Sequence, residues 1–430
     1  MLSWDKTPAL SPMRRCRAWV EIDLAALAHN VRSLKALLKP GTDLMSVVKA
    51  DAYGHGAVTV AKVALKSGAT WLGVATVPEG IELREAGIDA PILVMGAVNE
   101  PGEMRAIARW RLQPTIVDFK QALIFSETLA GYWRYTGVEA ENTNTGESMA
   151  VPVHLMLDTG MSRLGFDWQR PVEFARFVKQ LPHLEPVGLY SHFATADELD
   201  QTVMRLQHKR FECVIAALRK ESLLPAKLHL ANSAAALIDS ALHYDMVRVG
   251  LGTYGLYPAP HLRDRIDLQP VLSVKARITH IKPLEAGAGV SYGHRFVADR
   301  PMTIAVIGIG YADGIPRILS NQIEFVVGGQ RVPQIGAITM DQTMIDVSAL
   351  TRDTAASVRV GDVVTLLGKT DQHSLSADRW AELAQTISWE ILCSFKHRLP
   401  RIQKGTHKAL ATAQYTEGNI EGSIKVEQDA

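Results

Sequence analysis

One lysine stands at the end of an apolar run, and residues that favour a tight turn follow it at once. Lys49 closes the run LMSVVK, and the next residues include Asp51, Tyr53, His55 and two glycines. A lysine at a strand end is usually solvated. Where other cations crowd it and burial removes part of its water, however, its pKa falls and the free amine becomes a nucleophile towards aldehydes. The position therefore favours a lysine that forms a Schiff base with an aldehyde cofactor.

Two stretches further along the chain suit the phosphate of such a cofactor. ANSAAALIDS places Asn232 and Ser233 at the N-cap of a predicted helix, where free backbone N–H groups attract an anion. RVGLGTYG contains Gly250 and two further glycines, which let the backbone approach a ligand closely. N-caps and glycine turns are common, so each stretch alone is a weak signal. Together with Lys49 they favour pyridoxal 5'-phosphate.

Three more polar side chains follow predicted strands. DTGMSRLG is a tight turn that carries Arg163, and a guanidinium there suits a clamp on a carboxylate or a phenolate. Arg248 follows a later strand. His192 lies in YSHFATADE, and its ordinary interpretation is a buried core histidine. Its position at a strand end instead favours a supporting role behind the groups that contact the ligand.

These side chains need an architecture that gathers strand ends at one place. After a helical pattern at 23–39, eight short apolar runs alternate with segments whose apolar residues recur every three or four positions. The runs are LMSVVKA, WLGVAT, PILVMG, LQPTIVD, VPVHLMLD, PVGLYSHFA, KLHLAN and DMVRVG. This pattern predicts an α/β fold with a (β/α)8 barrel, whose active site lies at the carboxyl ends of the strands. A doubly wound sheet gives the same alternation, but the number of strands favours the barrel.

The sequence changes character after the eighth run, where alternating runs joined by Gly and Asp turns predict a mostly β second domain. We therefore divide the chain into a cofactor-binding barrel (17–264), a mostly β domain (265–403) and a disordered tail (404–430). One amphipathic helix is expected at 376–395, and RLPRIQ is expected to form a closing strand. The polar stretch 137–151 is expected to be a mobile surface loop.

Composition limits the possible partners. The 430 residues include 46 basic and 45 acidic side chains, whose charges nearly cancel and give no strong field to hold nucleic acid or an anionic membrane. Cys16, Cys213 and Cys393 are far apart and in no CxxC pair, which argues against a disulfide or zinc framework. No apolar run approaches the roughly 20 residues of a membrane span, and the first residues lack the apolar core of a secretory signal. We expect a cytoplasmic protein that binds a small molecule.

Several motifs, taken in order, resemble those of the alanine racemase family. They are AWVEIDLAALAHNV, SVVKADAYGHGA, DTGMSRLG, SHFATADE, ANSAA, VRVGLGTYG, GVSYGH, GYADGIPR and GAITMDQ. The resemblance covers residues 17–402. It implies a fold type III pyridoxal phosphate enzyme, built from a barrel and a β domain, that racemises alanine as a homodimer. D-alanine for the bacterial cell wall is the biological role that it implies.

The resemblance also implies roles for single residues. Lys49 would hold the cofactor and act as a base on one face of the substrate Cα, while Tyr292, in GVSYGH, would act on the opposite face from the partner subunit. Met340 would offer its backbone N–H to the substrate carboxylate, also across the dimer interface, and Arg163 would clamp that carboxylate and a cofactor oxygen. The implied cofactor contacts are Lys49, Tyr53, Arg163, His192, Asn232, Ser233, Arg248, Gly250, Leu251 and Trp389.

A phenol ordinarily has a pKa of about 10, so a phenol that relays protons needs a cationic setting. His192, Arg248 and the aldimine that Lys49 forms with the cofactor are expected to supply that setting by hydrogen bonding and charge. Arg248 matches the arginine that faces the pyridine nitrogen; because a guanidinium stays protonated, this nitrogen would stay unprotonated and the ring would be a weaker electron sink. Proton exchange would then be favoured over transamination. Asp197 and Arg317 match positions that line the substrate entrance.

Three positions depart from the family pattern. Met156 replaces a lysine that many members carry in carbamylated form and that positions the clamp arginine, so Arg163 must find other support. Trp389 replaces a tyrosine that reaches the phosphate, and an indole has one N–H donor and no hydroxyl. Ala337 replaces an arginine common at the entrance. These changes concern rate and substrate range more than reaction class.

Other functions stay open on the sequence. A racemase for serine or for a broader range of amino acids differs from an alanine enzyme only in pocket shape. A fold type III amino acid decarboxylase is a more distant alternative, which Arg248 disfavours because a carboxylate is expected in its place. A non-enzymatic pyridoxal phosphate carrier shares the barrel and the lysine but lacks a second domain.

Overall fold

The computed structural model describes residues 16–136, 150–351 and 357–405. Its strands are β1 (Ala18–Asp23), β2 (Asp43–Val47), β3 (Trp71–Val74), β4 (Ile92–Ala97), β5 (Gln113–Ile116), β6 (Val151–Asp158), β7 (Phe166–Asp167), β8 (Leu184–Tyr190), β9 (Lys227–His229), β10 (Met246–Val249), β11 (Leu272–Leu284), β12 (Gly289–Val290), β13 (Phe296–Val297), β14 (Met302–Ile307), β15 (Glu324–Val327), β16 (Gln330–Ile335), β17 (Thr343–Asp346), β18 (Val363–Lys369), β19 (Ser374–Leu375) and β20 (Arg401–Lys404).

The helices alternate with the strands in the first part of the chain. They are α1 (Leu24–Leu37), α2 (Lys49–Gly54), α3 (Ala57–Lys66), α4 (Val77–Glu85), α5 (Pro101–Arg109), α6 (Phe119–Thr136), α7 (Pro171–Gln180), α8 (Thr202–Lys220), α9 (Ser233–Ile238), α10 (Ser348–Thr351), α11 (Ala377–Ala384) and α12 (Ser388–Ser394). In the part of the chain described here, no helix combines the length and the apolar character that a membrane crossing needs.

Eight parallel strands form the predicted barrel, in the order β10-β2-β3-β4-β5-β6-β8-β9. The last strand returns to the first, because β10 pairs in parallel with β2 from Met246 opposite Asp43 onwards. On its other side, the Arg248 N–H donates to the Ala231 carbonyl (3.0 Å) just beyond β9. The sheet therefore closes on itself, which confirms the barrel and excludes the doubly wound alternative.

The helices pack on the barrel through the apolar stripes that predicted them. In α1, the buried residues Leu24, Leu27, Val31 and Leu34 recur every three or four positions. The Asp23 carboxylate caps this helix by accepting the backbone N–H groups of residues 25 and 26 at 2.9 and 3.0 Å. Each buried leucine or valine stabilises the fold by roughly 1.5–3 kcal/mol relative to an exposed one, so the packed stripe, not helix propensity, holds α1 in place.

The second domain is a nine-stranded sheet of order β19-β18-β15-β16-β17-β14-β11-β1-β20. Its strand β1 comes from the start of the chain, where it pairs antiparallel with β11 and parallel with β20. Trp19, Val20 and Ile22 of β1 are buried. The predicted barrel domain, 17–264, therefore begins with a strand that belongs to the other sheet. The second sheet thus fixes both ends of the described chain.

The predicted single helix at 376–395 is wrong, because the structure has two helices there. Gln385 ends α11 in a left-handed conformation (φ 55°), and Ile387 is extended before α12 begins. The apolar periodicity runs through this break and hides it. The predicted closing strand is confirmed as β20. The tail beyond residue 405 and residues 137–149 of the predicted loop lie outside the described residues.

Candidate active site

A cavity of about 590 Å³ opens at the carboxyl ends of the barrel strands. This volume suits a cofactor-sized ligand. Ten residues predicted from the sequence line it: Lys49, Tyr53, Arg163, His192, Asn232, Ser233, Arg248, Gly250, Leu251 and Trp389. They meet here because parallel strands of a barrel end at one mouth, so that positions far apart in sequence become neighbours.

Lys49 lies two residues beyond the end of β2 and begins an unusual turn. Ala50, Asp51, Ala52 and Tyr53 all have φ between 51° and 54°, so α2 contains a left-handed helical turn without a glycine. A left-handed conformation costs L-residues roughly 1–2 kcal/mol each, and such strain persists only where surrounding contacts enforce it. The turn presents Lys49 and Tyr53, four residues apart, to the same cavity.

The surroundings of Lys49 favour its neutral amine. Burial lowers the pKa of Lys49, and the positive charge of Arg163 lowers it further, while Glu79 and Cys393 act in the opposite direction. The direction is the one predicted from crowding by arginine and partial loss of water. A neutral amine in a cavity of this size can attack a carbonyl carbon or accept a proton.

A group of donors lines the same cavity as the lysine. Tyr53, Ser233 and Gly250 lie together, with the Gly250 N–H donating to the Ser233 hydroxyl at 3.2 Å. Burial raises the pKa of Tyr53 to about 12, so its hydroxyl stays protonated and available as a donor. A Cβ atom on Gly250 would lie 2.6 Å from the Tyr53 hydroxyl oxygen, so a side chain there would displace the phenol. The Asn232 side chain also lines the cavity, and it caps α9 by accepting the Ala235 N–H at 3.0 Å.

Arg248 is buried at the base of the cavity and is held by many partners. One of its terminal nitrogens donates to the carbonyl and to Nδ1 of His229, both at 3.0 Å. The other donates to the carbonyls of Ser191 (2.8 Å) and Leu230 (3.2 Å) and to Nδ1 of His192 (3.2 Å). Burial lowers the pKa of Arg248 to about 10, so it still carries its charge at neutral pH.

A chain of hydrogen bonds continues from Arg248 into the barrel interior. His229 Nε2 lies 2.9 Å from Nδ1 of His154, whose Nε2 lies 3.0 Å from the Gln113 side-chain oxygen. Because a guanidinium only donates, His229 Nδ1 must accept, and its Nε2 then carries the proton given to His154. The same logic places a proton on Nε2 of His154. Arg248 therefore orients two buried imidazoles that no sequence motif had indicated.

His192 cannot supply the positive charge that was expected of it. Burial, followed by the positive charges of Arg248, Arg163 and Lys49, lowers the pKa of His192 to about 3. The imidazole is therefore neutral at physiological pH, with Nδ1 accepting from Arg248 and Nε2 carrying its proton. The expected contribution by charge is wrong for His192, which can contribute only hydrogen bonds, because the surrounding cations disfavour a further charge.

Arg163 has no hydrogen bond or ion pair among the residues that the structure describes, and the buried thioether of Met156 offers it none. Contacts to the backbone of the loop that carries Arg163 hold that loop instead. The Asp158 carboxylate accepts the backbone N–H groups of residues 160, 161 and 162 at 2.9–3.0 Å. Arg210 of α8 donates to the Thr159 carbonyl at 2.8 Å. Support for Arg163 therefore comes through the backbone of its turn.

Tyr292 and Met340 lie away from the cavity, on the second domain. These residues are 71% and 52% exposed, whereas Ala337 is buried. Asp197 lines the cavity, and Arg317 does not. Within one chain, neither Tyr292 nor Met340 reaches Lys49, so any part that they take in chemistry at this cavity must come from a second chain.

The structure adds residues to the site that the sequence interpretation missed. Tyr190 and Cys393 line the cavity, and Glu79 contacts the backbone beside Lys49. A signal existed for Glu79, because TVPE matches the start of a helix capping box. Nothing in the sequence singled out Tyr190, whose ring lies beneath the Arg248 guanidinium at 5.0 Å from its centroid.

We expect the free energy of unfolding to fall as the pH is lowered from about 7 to about 5. The pKa of His55 is lowered to about 4, and those of His154 and His192 to about 3, in each case mainly by burial. In the unfolded chain these imidazoles titrate near 6.5. Below that pH the unfolded state binds protons that the folded state does not, so each histidine costs about 1.4 kcal/mol of stability per pH unit until its folded pKa is reached.

Urea denaturation across this pH range measures the slope. His154→Gln should reduce this slope by the contribution of one histidine, about 1.4 kcal/mol per pH unit. His280→Gln, at an exposed position, should leave the slope unchanged. An unaltered slope in His154→Gln would contradict a neutral, buried His154.

Comparison with known proteins identifies two matching family models. The one described as alanine racemase, N-terminal domain, matches residues 22–258, and the one described as alanine racemase, C-terminal domain, matches residues 271–403. The alanine racemase of Nostoc sp. is 58% identical over 386 residues, which cover 90% of this chain and 95% of the relative. That of Synechocystis sp. is 55% identical over 390 residues, which cover 91% of this chain and all of the relative.

Solved structures agree with these matches. The alanine racemase of Clostridium difficile 630 is similar with a TM-score of 0.81 at 33% identity, over 90% of this chain and 96% of that chain. The alanine racemase of Bacillus anthracis with bound L-Ala-P is similar with a TM-score of 0.79 at 35% identity, over 90% of this chain and 95% of that chain. The chain shares both domains with these proteins, in the same order, and it belongs to the alanine racemase family.

Proposed function

We propose that this protein interconverts L-alanine and D-alanine with pyridoxal 5'-phosphate bound at the barrel mouth, as a homodimer. The observation that carries the proposal is the pairing of Lys49, whose pKa is lowered, with the buried, charged Arg248 in one cavity. Neighbouring hydroxyl and N–H donors complete the site. The cytoplasm is the proposed location, and supply of D-alanine for the cell wall is the proposed role.

The residues present fit this cofactor. An aldehyde needs a neutral amine, which Lys49 offers, and a phosphate needs donors, which the Tyr53 and Ser233 hydroxyls and the backbone N–H of Leu251 offer. The Gly250 N–H donates to the Ser233 hydroxyl, which leaves the hydroxyl proton of Ser233 free for the phosphate. The absence of a Cβ at Gly250 keeps this cradle open. Arg248 is the group proposed to face the pyridine nitrogen. The cofactor, when bound, supplies an electron sink that makes the Cα–H of an amino acid acidic.

Racemisation requires one proton acceptor and one proton donor on opposite faces of Cα. We assign the first role to the Lys49 amine, since its lowered pKa keeps it available as a base. We assign the second to Tyr292 of the partner subunit, because its exposed position on the second domain leaves it free to meet another chain. In the reverse direction the two groups exchange roles.

Three other groups support the proton transfers by hydrogen bonding, by binding the substrate carboxylate and by charge. His192, neutral and oriented by Arg248, is assigned to donate its Nε2 proton to the catalytic phenol and so stabilise its anion. Arg163 is assigned to bind the substrate carboxylate, with the backbone N–H of Met340 of the partner subunit. Because Arg248 remains a full cation, it disfavours protonation of a nitrogen beside it, which limits charge delocalisation and favours proton exchange over transamination.

A panel of amino acids in D₂O tests the proposal directly. We expect NMR to show loss of the alanine Cα–H signal and formation of the opposite enantiomer, without accumulation of CO₂ or pyruvate. Exchange of serine or larger amino acids at rates similar to alanine would support the broader racemase instead. Stoichiometric CO₂ would contradict the proposal in favour of a decarboxylase, and a folded protein without bound cofactor or exchange would contradict it altogether.

A further inference from the structure

The turn that carries Lys49 is tied to the neighbouring strand loop by a single carboxylate. Glu79 is the third residue of α4, and one of its oxygens accepts the Ala50 N–H at 2.7 Å. The other oxygen accepts the N–H groups of Ala75 (2.7 Å) and Thr76 (3.1 Å) in the loop between β3 and α4. A carboxylate that accepts three backbone N–H groups makes strong, charge-assisted hydrogen bonds.

Helix capping explains only half of this arrangement. A glutamate at the third position of a helix commonly accepts the backbone N–H at the N-cap, which Glu79 does through its contact with Thr76. The bond to Ala50 contributes nothing to α4, since Ala50 lies 29 positions earlier in the chain, in the left-handed turn of α2. It instead binds the residue next to Lys49.

The left-handed turn needs such external contacts. Its four strained residues are held at their far end by other groups, since the His55 Nδ1 lies 2.9 Å from the Ala52 carbonyl and 3.0 Å from that of Tyr53. Arg401 of β20 donates to the Gly54 carbonyl at 3.0 Å. Glu79 holds the near end, where the backbone leaves β2 and the Lys49 side chain enters the cavity.

We infer that Glu79 is a positioning residue for Lys49, which fastens the start of the left-handed turn to the β3 loop and keeps the amine in the cavity. The inference gains its catalytic meaning from the proposed function. The charge of Glu79 has a second consequence, because it raises the pKa of Lys49 against the effects of burial and of Arg163, with Cys393 acting in the same direction as Glu79. Glu79 therefore influences both the location of the amine and its protonation.

The test uses the full-length protein freed of cofactor and measures no turnover. Acetic anhydride labels neutral amines, and mass spectrometry gives the labelling rate of Lys49 as a function of pH. In Glu79→Gln, we expect Lys49 to be labelled about threefold faster or more at neutral pH, because loss of the carboxylate charge leaves more of the amine neutral. Amide hydrogen exchange at Ala50 should be at least about tenfold faster, because its acceptor is weakened.

Glu85→Gln is the matched control, since it removes the same charge from an exposed position at the end of the same helix, and Glu85 is not among the groups that shift the pKa of Lys49. It should leave both measurements unchanged. Glu79→Asp is the second variant, for the case that Glu79→Gln fails to fold. It keeps the charge, but its side chain is too short to reach both Ala50 and the loop between β3 and α4. Exchange at Ala50 should therefore still be faster.

Faster exchange confined to α4, with unchanged labelling of Lys49 and unchanged exchange at Ala50, would reduce Glu79 to a helix cap and overturn the inference. Because neither measurement depends on cofactor or catalysis, that result would leave the proposed function intact. Conversely, failure of the D₂O assay would contradict the proposed function but would leave the inference that Glu79 positions Lys49 unaffected.

Discussion

Replacing Lys49 with alanine is expected to reduce the racemisation rate by about 10⁴-fold or more, since one side chain would lose both its nucleophilic and its basic role. The visible absorbance band of bound cofactor should also shift, because no amine remains at that place to bind the aldehyde. Initial rates from polarimetry, together with absorbance spectra of the purified variant, measure both effects.

Stability distinguishes a chemical effect from a misfolded variant. Burial and Arg163 already disfavour the charged form of Lys49, so removal of its amine should change the free energy of unfolding by no more than about 1 kcal/mol. Lys66→Ala is the control, since it removes an exposed amine at the end of α3 and should leave activity unchanged. Retention of activity and of the absorbance band in Lys49→Ala would refute the assignment of Lys49.

Replacing Tyr292 with phenylalanine is expected to reduce racemisation by about 10²- to 10⁴-fold, the usual range for loss of a general acid or base. Because Tyr292 is 71% exposed in one chain, loss of its hydroxyl should leave the fold unaffected. Lys49 would still be present, so exchange of the Cα–H with D₂O should persist for one enantiomer more than for the other. Separate exchange rates for L- and D-alanine measure this asymmetry.

Mixing the two inactive variants tests whether each site uses two chains. If Lys49 and Tyr292 of different subunits form one site, a hybrid dimer has one intact site and one doubly defective site. Random reassembly of equal amounts makes half of the dimers hybrids, so about one quarter of the wild-type activity should return. Tyr135→Phe, at an exposed barrel position, is the control and should be fully active alone. If no activity returns after confirmed subunit exchange, Tyr292 does not act across an interface.

The sequence by itself determined the barrel and most of the residues that line the cavity at the carboxyl ends of its strands. The eight strands and their helices follow from local periodicity, which records whether each residue faces the core. Parallel strands in a closed barrel end together, so the positions of Lys49, Arg163 and His192 after their strands were sufficient to place them in one cavity. Arg248, expected after its strand, lies within the last residues of β10 and lines the same cavity. The motif resemblance added the cofactor and the second-chain tyrosine, which local pattern cannot supply.

Only the tertiary structure decided how these residues are held and charged. The neutral state of His192, the histidine chain behind Arg248 and the contact between Glu79 and Ala50 all arise from groups brought together over long sequence separations. The same is true of β1, whose apolar alternation shows that it is a strand but not which sheet receives it. A pKa depends on burial and on nearby charges, and a strained turn depends on hydrogen bonds from outside it. Neither can be inferred from the sequence, because both depend on contacts that exist only in the folded chain.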